Sequence, residues 1–146
     1  MITEATHEDI PAIVRMARAF FDTTPYGFLG FDPMSVENVA RFLIGGGGVV
    51  FIYRNPDPVG MIALACSPFF CNSSRLMVEE CMWWVDPEHR RSTAGLGLLK
   101  KAEKWSAERG ASGLVMASIN ESANSIYDKM GYLRSDQRFM KPLGVQ

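Results

Sequence analysis

Near the start of the chain, apolar residues return every three or four positions. Ile10, Ile13, Val14, Ala17 and Phe20 or Phe21 therefore share one face of a helix that begins near Thr6 or His7, after a short opening strand. The stretch TTPYGFLGFDP is turn-rich and aromatic, and Asp32 or Ser35 is placed to cap a second short helix over 36–44, ended by the four glycines 45–48. Two β-rich runs, 49–53 and 59–66, flank RNPDP, whose Asn, Asp and prolines favour a tight reversal, so the pair is predicted as a hairpin. After the loop SPFFCNSS, residues 76–85 read as a further strand, stopped by Asp86 and Pro87. Between Gly95 and Arg109 the positions Leu98, Leu99, Ala102 and Trp105 repeat at helical spacing, with Lys100, Lys101, Glu103, Lys104 and Glu108 turned mostly to water, and Gly110 closes the helix. The apolar run 113–119 is a strand of the kind buried on both faces; the helix before it makes it a parallel partner of 76–85. A last helix over 121–130 stops at Gly131, and 132–141 is expected as one extended strand or a short hairpin.

Three consecutive strands before the first crossover helix make the sheet mixed. The fold class is α/β (α+β), a mostly antiparallel central sheet flanked by about four helices, and 146 residues suit one domain spanning 1–146. A Rossmann arrangement would need alternating βα units, and no Gly-Lys-Ser/Thr stands at Walker spacing. Apolar residues form 47% of the chain and charged ones 21%, spread throughout, so a fold running nearly end to end is expected. Fifteen basic against sixteen acidic residues supply no field for nucleic acid or an anionic membrane; any anion must be gripped locally. Cys66, Cys71 and Cys81 form no paired CxxC, and His7 and His89 are far apart, so no metal is expected. An odd cysteine count without a signal-peptide pattern at the start predicts reduced, buried thiols and a cytoplasmic location, and no apolar run reaches membrane-spanning length.

The strongest chemical signal is the strand ending EECMWWV, the turn DPEH, the stretch RRSTAG and then a helix. A helix start presents unpaired N–H groups and the positive end of its dipole, and the small Ser92, Thr93, Ala94 and Gly95 let a phosphate come close. Arg90 and Arg91 add mobile positive charge. The same stretch also reads as a solvated basic turn capped by Ser92 or Thr93.

With these elements in order, the chain resembles the GNAT superfamily of N-acetyltransferases over nearly its whole length. The family's signature, Arg or Gln, two residues, Gly, one residue, Gly or Ala, is similar to 90–95, with Thr93 standing at the first glycine position. A threonine in ordinary helical geometry still presents its N–H. Downstream, NESANSIYDKMGY is similar to the family's pattern of Asn, Ala, Tyr, Lys, Gly and an aromatic, met here by Asn120, Ala123, Tyr127, Lys129, Gly131 and Tyr132.

The resemblance implies a donor, acetyl-CoA, and an amine acceptor. Its V-shaped cleft would open between 76–85 and 113–119, with the pantetheine arm against the backbone of Met82, Trp83, Trp84 and Val85 and the pyrophosphate on 91–95. Asn120, Asn124 and Tyr127 would also contact the cofactor, and the Tyr127 hydroxyl would protonate the departing thiolate. Glu79 and Glu80 are the candidate bases. Strand alternation sends them to opposite faces, with Glu80 favoured, and a surface carboxylate paired with Arg75 or another base is the competing reading for either. The loops TTPYGFLGFDP and SPFFCNSSR, with Trp83 or Trp84 as walls, are expected to meet a small apolar amine or a peptide end, or simply to cover the core. Two other readings stay open: a module on the same fold that binds acyl-CoA without efficient transfer, and a homodimeric interaction domain built on exposed aromatics and the strand 132–141.

Overall fold

The computed structural model describes residues 1–118 and 121–144. One five-stranded sheet follows chain order: β1 (Ile2–Glu4), β2 (Gly48–Arg54), β3 (Pro58–Phe69), β4 (Asn72–Val85) and β5 (Gly113–Val115). All neighbours are antiparallel except β4 and β5, which run parallel, so the sheet is mixed as the order of elements predicted. The helices are α1 (Ile10–Phe21), α2 (Pro33–Phe42), α3 (Ala94–Glu108) and α4 (Glu121–Lys129).

Strand alternation divides the core into two layers. Val50 and Ile52 of β2, with Met61 and Ala63 of β3, meet Ile13, Met16 and Ala17 of α1 and Ala40 of α2. Val49 and Phe51, with Ile62 and Leu64, point the other way onto Ala94, Leu98 and Ala102 of α3. The apolar stripes read from the sequence are thus the buried faces.

Local chemistry sets the helix boundaries. Thr6 N–H donates to Asp9 Oδ2 at 2.9 Å, closing a short 3-10 turn, His7–Asp9, before α1 proper. Asp32 caps α2, accepting from Met34 N–H at 3.3 Å, and Pro33 follows it in the first helical position, so this helix starts earlier than 36. Its end widens into the turn Leu43–Gly47, where Gly46 takes φ 123°, and Gly48 then enters β2 so close to β3 that a Cβ would overlap the Leu64 carbonyl oxygen.

Several expectations need correction. SPFFCNSS is no loop: the β3–β4 ladder continues through Cys66↔Val78, Ser67↔Met77 and Pro68↔Leu76, and only Phe70 and Cys71 lie between the strands. Both faces of this hairpin end meet water, so its backbone bonds leave no apolar alternation to read. Strand β5 ends at Val115 instead of running to 119, and Ile119 falls outside the described residues. Residues 132–144 form no strand; side-chain pairs hold this stretch instead, Arg134 to Asp128 at 3.0 Å and Arg138 to Glu79 at 3.7 Å. The free thiols are not buried: Cys66 is half-buried, while Cys71 at the hairpin tip and Cys81 are exposed. Among the described residues, no helix is long and apolar enough to cross a membrane.

The contact at Gly48 gives a direct check. Gly48→Ala should lower unfolding free energy by at least about 2 kcal/mol in urea titration, since the added methyl must displace backbone. An unchanged midpoint would mean that β2 and β3 are further apart than described.

Candidate active site

In the β3–β4 register Ala63 faces Met82 and Leu64 faces Glu80, which leaves Cys81 as an extra residue in β4. This bulge resets the alternation. Before it, Val78 and Glu80 share the α3 side of the sheet with Leu64; after it, Trp83 and Val85 do, while Met82 and Trp84 turn to the α1/α2 side. Glu79, opposite Ala65, belongs to the α1/α2 side as well. The two candidate carboxylates therefore lie on opposite faces.

On its other edge β4 pairs with β5 only from Met77 to Glu79. Strand β4 continues to Val85 while, among the described residues, the chain after Val115 adds no further pairing to it, so a wedge opens beside Glu80. Glu80 is half-buried there, and burial first, then the neighbouring Glu79 charge, raises its pKa from 4.5 to about 7. Glu79 is exposed and pairs with Arg138, not Arg75. The exposed Cys81 thiol is also pushed up, by desolvation and then by Glu80 and Glu79.

Tyr127 reaches the same region from α4. It is buried, its ring lies 6.0 Å from that of Trp83 and 5.3 Å from that of Tyr132, and its hydroxyl donates to the Ala117 carbonyl at 2.9 Å. Burial raises its pKa, with Glu80 the next cause, so the phenol holds its proton firmly. Asn124, half-buried, precedes it by about one helical turn; Asn120 falls outside the described residues. The Trp83 indole, expected as a wall for the acceptor, packs between Tyr127 and the start of α3. A Cβ on Gly95 would sit 3.8 Å from its ring, and its buried Nε1–H has no acceptor among the described residues.

At the start of α3, Thr93 has φ −80° and ψ 5°, a conformation open to any residue, so the family's glycine is not required there. The first bond of the helix runs from Gly97 N–H to Thr93 O at 2.8 Å, and Ala94 N–H is taken by Ser92 Oγ at 3.2 Å. The Gly95 and Leu96 amides remain at the mouth, with Arg91 exposed beside them. Arg90 is not the mobile cation expected. Its Nε donates to Val85 O at 2.8 Å and its guanidinium lies 4.6 Å from the Trp84 ring centre. Trp84 Nε1 in turn donates to Asp86 at 2.8 Å, and Arg15 of α1 grips the same carboxylate at 3.0 and 3.2 Å.

On the α1/α2 side a cavity of about 400 Å³ lies between α1, the loop before α2, and β4. Phe20, Phe21, Leu29, Phe31, Val36 and Met82 supply most of its wall. Among the described residues its one charged lining group is Asp32, held below the usual carboxylate range mainly by the Ser35 hydroxyl, which donates to it at 2.6 Å. Part of TTPYGFLGFDP and Met82 are among the described residues that line this space, whereas SPFFCNSSR and the two tryptophans are not.

A wedge beside β4, an exposed helix start and two acid groups with raised pKa values, Glu80 and Tyr127, thus lie in one region of the molecule. The acetyltransferase (GNAT) family model matches residues 11–132, and the chain belongs to that family. Similar solved structures include an acetyltransferase of Trypanosoma brucei (TM-score 0.77, 18% identity, 98% of this chain and 99% of that one). A ribosomal-protein-alanine N-acetyltransferase of Brucella melitensis is comparable (TM-score 0.74, 14%, 98% and 99%). An aminoglycoside acetyltransferase from an uncultured soil metagenomic sample, in complex with sisomicin, gives 0.73 at 14% identity, over 100% and 96%. At these identities the likeness speaks for the fold. No curated protein matches the chain.

The Glu80 shift carries a stability consequence. A carboxyl whose folded pKa exceeds its unfolded value loses folding free energy as pH rises from 4.5 to about 7, here by about 3 kcal/mol in all. Glu80→Gln should therefore match the parent near pH 4.5 and exceed it by a few kcal/mol near pH 8, read from urea midpoints. An equal difference at both pH values would contradict the buried-carboxylate assignment.

Proposed function

We propose that this chain transfers the acetyl group of acetyl-CoA to a primary amine by direct attack, with Glu80 as general base and Tyr127 as general acid. The observation that carries this reading is the pairing of unlike acids at one wedge: a carboxyl poised near neutrality and a phenol held protonated.

The residues present fit the donor. The β4 edge beyond Glu79 offers backbone groups to the pantetheine amides, from Met82 to Val85. Gly95 and Leu96 amides, with Arg91, suit the pyrophosphate. The unsatisfied Trp83 Nε1–H supports the fit further, because a buried donor without an acceptor costs about 1–3 kcal/mol until a ligand supplies one. Arg90 serves this turn by fixing it to β4 through Val85 O. When bound, acetyl-CoA supplies an activated acyl carbon and a thiolate leaving group.

Glu80 takes a proton from the incoming ammonium, directly or through a water, freeing the nitrogen lone pair. As the C–N bond forms and the C–S bond breaks, Tyr127 gives its proton to the sulfur. It regains one from the acylated nitrogen, so one proton passes to solvent per turnover. To do this its hydroxyl must turn from the Ala117 carbonyl toward the wedge.

CoA-thiol release from acetyl-CoA with pooled amines, peptides and antibiotics, followed by mass spectrometry of the acceptors, tests the activity. Tyr127→Phe should lower kcat by roughly 10²-fold while the acetyl-CoA dissociation constant, from calorimetry, changes little. Unchanged turnover would remove Tyr127 from the mechanism.

A further inference from the structure

We infer that the acceptor carries its amine on an aryl or branched-alkyl body, which rests in the cavity between α1, α2 and Met82. This inference rests on the acetyl-transfer reading above and narrows its substrate class.

The cavity reaches the reaction wedge through β4 itself. Met82 is part of its wall, and two residues of strand, about 6–7 Å, separate Met82 from Glu80. An occupant seated over Met82 lies on the face opposite Glu80 and Tyr127, so its amine reaches them by passing the β4 edge that is left open beyond Glu79. Three phenylalanines face the space, and Phe21 and Phe31 already meet in a tilted pair with ring centres 5.5 Å apart. A third ring adds to such an arrangement edge-on.

The polar groups of the wall are committed to one another. Asp32 accepts from both Met34 N–H and the Ser35 hydroxyl. Along Phe20, Phe21 and Phe31 the side chains carry no donor or acceptor, so a hydroxyl-rich body resting there would leave its own groups unpaired.

Charge adds a second preference at this side of the sheet. Asp32 lies at the cavity and Glu79 stands on the same side of the sheet, three positions before Met82. Arg18 is stacked over the Phe31 ring at 5.3 Å and paired with Asp22 at 3.3 Å; Arg138 meets Glu79 only through an exposed contact of 3.7 Å, which an incoming ammonium can displace. The surface therefore favours a cationic amine with an apolar body.

The test compares 2-phenylethylamine, ethylamine, kanamycin and an alanine-led peptide by CoA release, and measures 2-phenylethylamine binding to the CoA-loaded protein by calorimetry. The kcat/KM for 2-phenylethylamine should exceed that for ethylamine by roughly 10- to 100-fold, and should also exceed those for kanamycin and the peptide. Leu29 is largely exposed, so Leu29→Lys should fold. It should raise the KM for 2-phenylethylamine at least about tenfold and leave the KM for acetyl-CoA unchanged. Preference for kanamycin or the peptide, or an unaltered KM in Leu29→Lys, overturns the inference and leaves acetyl transfer standing. Binding of 2-phenylethylamine, weakened in Leu29→Lys, without CoA release from any amine would keep the pocket assignment and overturn transfer. Absence of both binding and release would overturn both.

Discussion

Cys81 has no partner on β3, and the faces of every later residue in β4 follow from that unmatched position. In a regular strand Met82 would continue on the side of Glu80, toward α3, and Trp83 would turn toward α1. The extra residue exchanges them. Met82 then lines an apolar cavity on one side, while Trp83 turns to Tyr127 on the other. The short β4–β5 ladder ends two residues before the bulge, so the irregular stretch of β4 is also the stretch left open along its far edge. Access from both faces of the sheet therefore converges on one short piece of backbone.

The same stretch is fastened at its end. Asp86 receives Arg15 from α1 and the Trp84 indole from β4, while Arg90 stacks on that tryptophan and holds the Val85 carbonyl. Helix α1, which walls the apolar cavity, and the turn leading into α3 are thereby tied to the same few atoms. Arg90 carries out this work with its guanidinium committed, which leaves the exposed Arg91, among the described residues, to meet solvent anions at the turn.

Much of this was legible in the residues because the signals were periodic. The apolar run Val49 to Ile52 was readable as a strand, and Leu98 and Ala102 mark the buried stripe of α3, so the hairpin, the mixed sheet and the parallel pair could be inferred. Tyr127 and the stretch 90–95 were singled out through motif spacing, and Glu80 as one of two carboxylates on the strand before that turn; the structure brings Glu80 and Tyr127 to one wedge. The features missed have no local signature. A bulge is a mismatch between two strands and is invisible in either alone; the hairpin end through Phe69 and Asn72 has no apolar face; the commitment of Arg90 depends on a carbonyl and a ring brought to it by folding. The cavity joins Leu29 and Phe31 to Met82, residues that no window along the chain sees together. The stretch 132–141 failed as a strand because its polar middle is held by charges, without a ladder.

Thr93 bends the chain at φ −80°, where its branched side chain causes no conflict. What the turn demands of its sequence is a dihedral angle and room for an approaching anion, and several small residues can satisfy both. A search keyed to a glycine letter at that place would discard this chain and any other that reaches the same backbone by different side chains. Membership of such a family is better recognised by the path of the main chain than by the spelling of its signature.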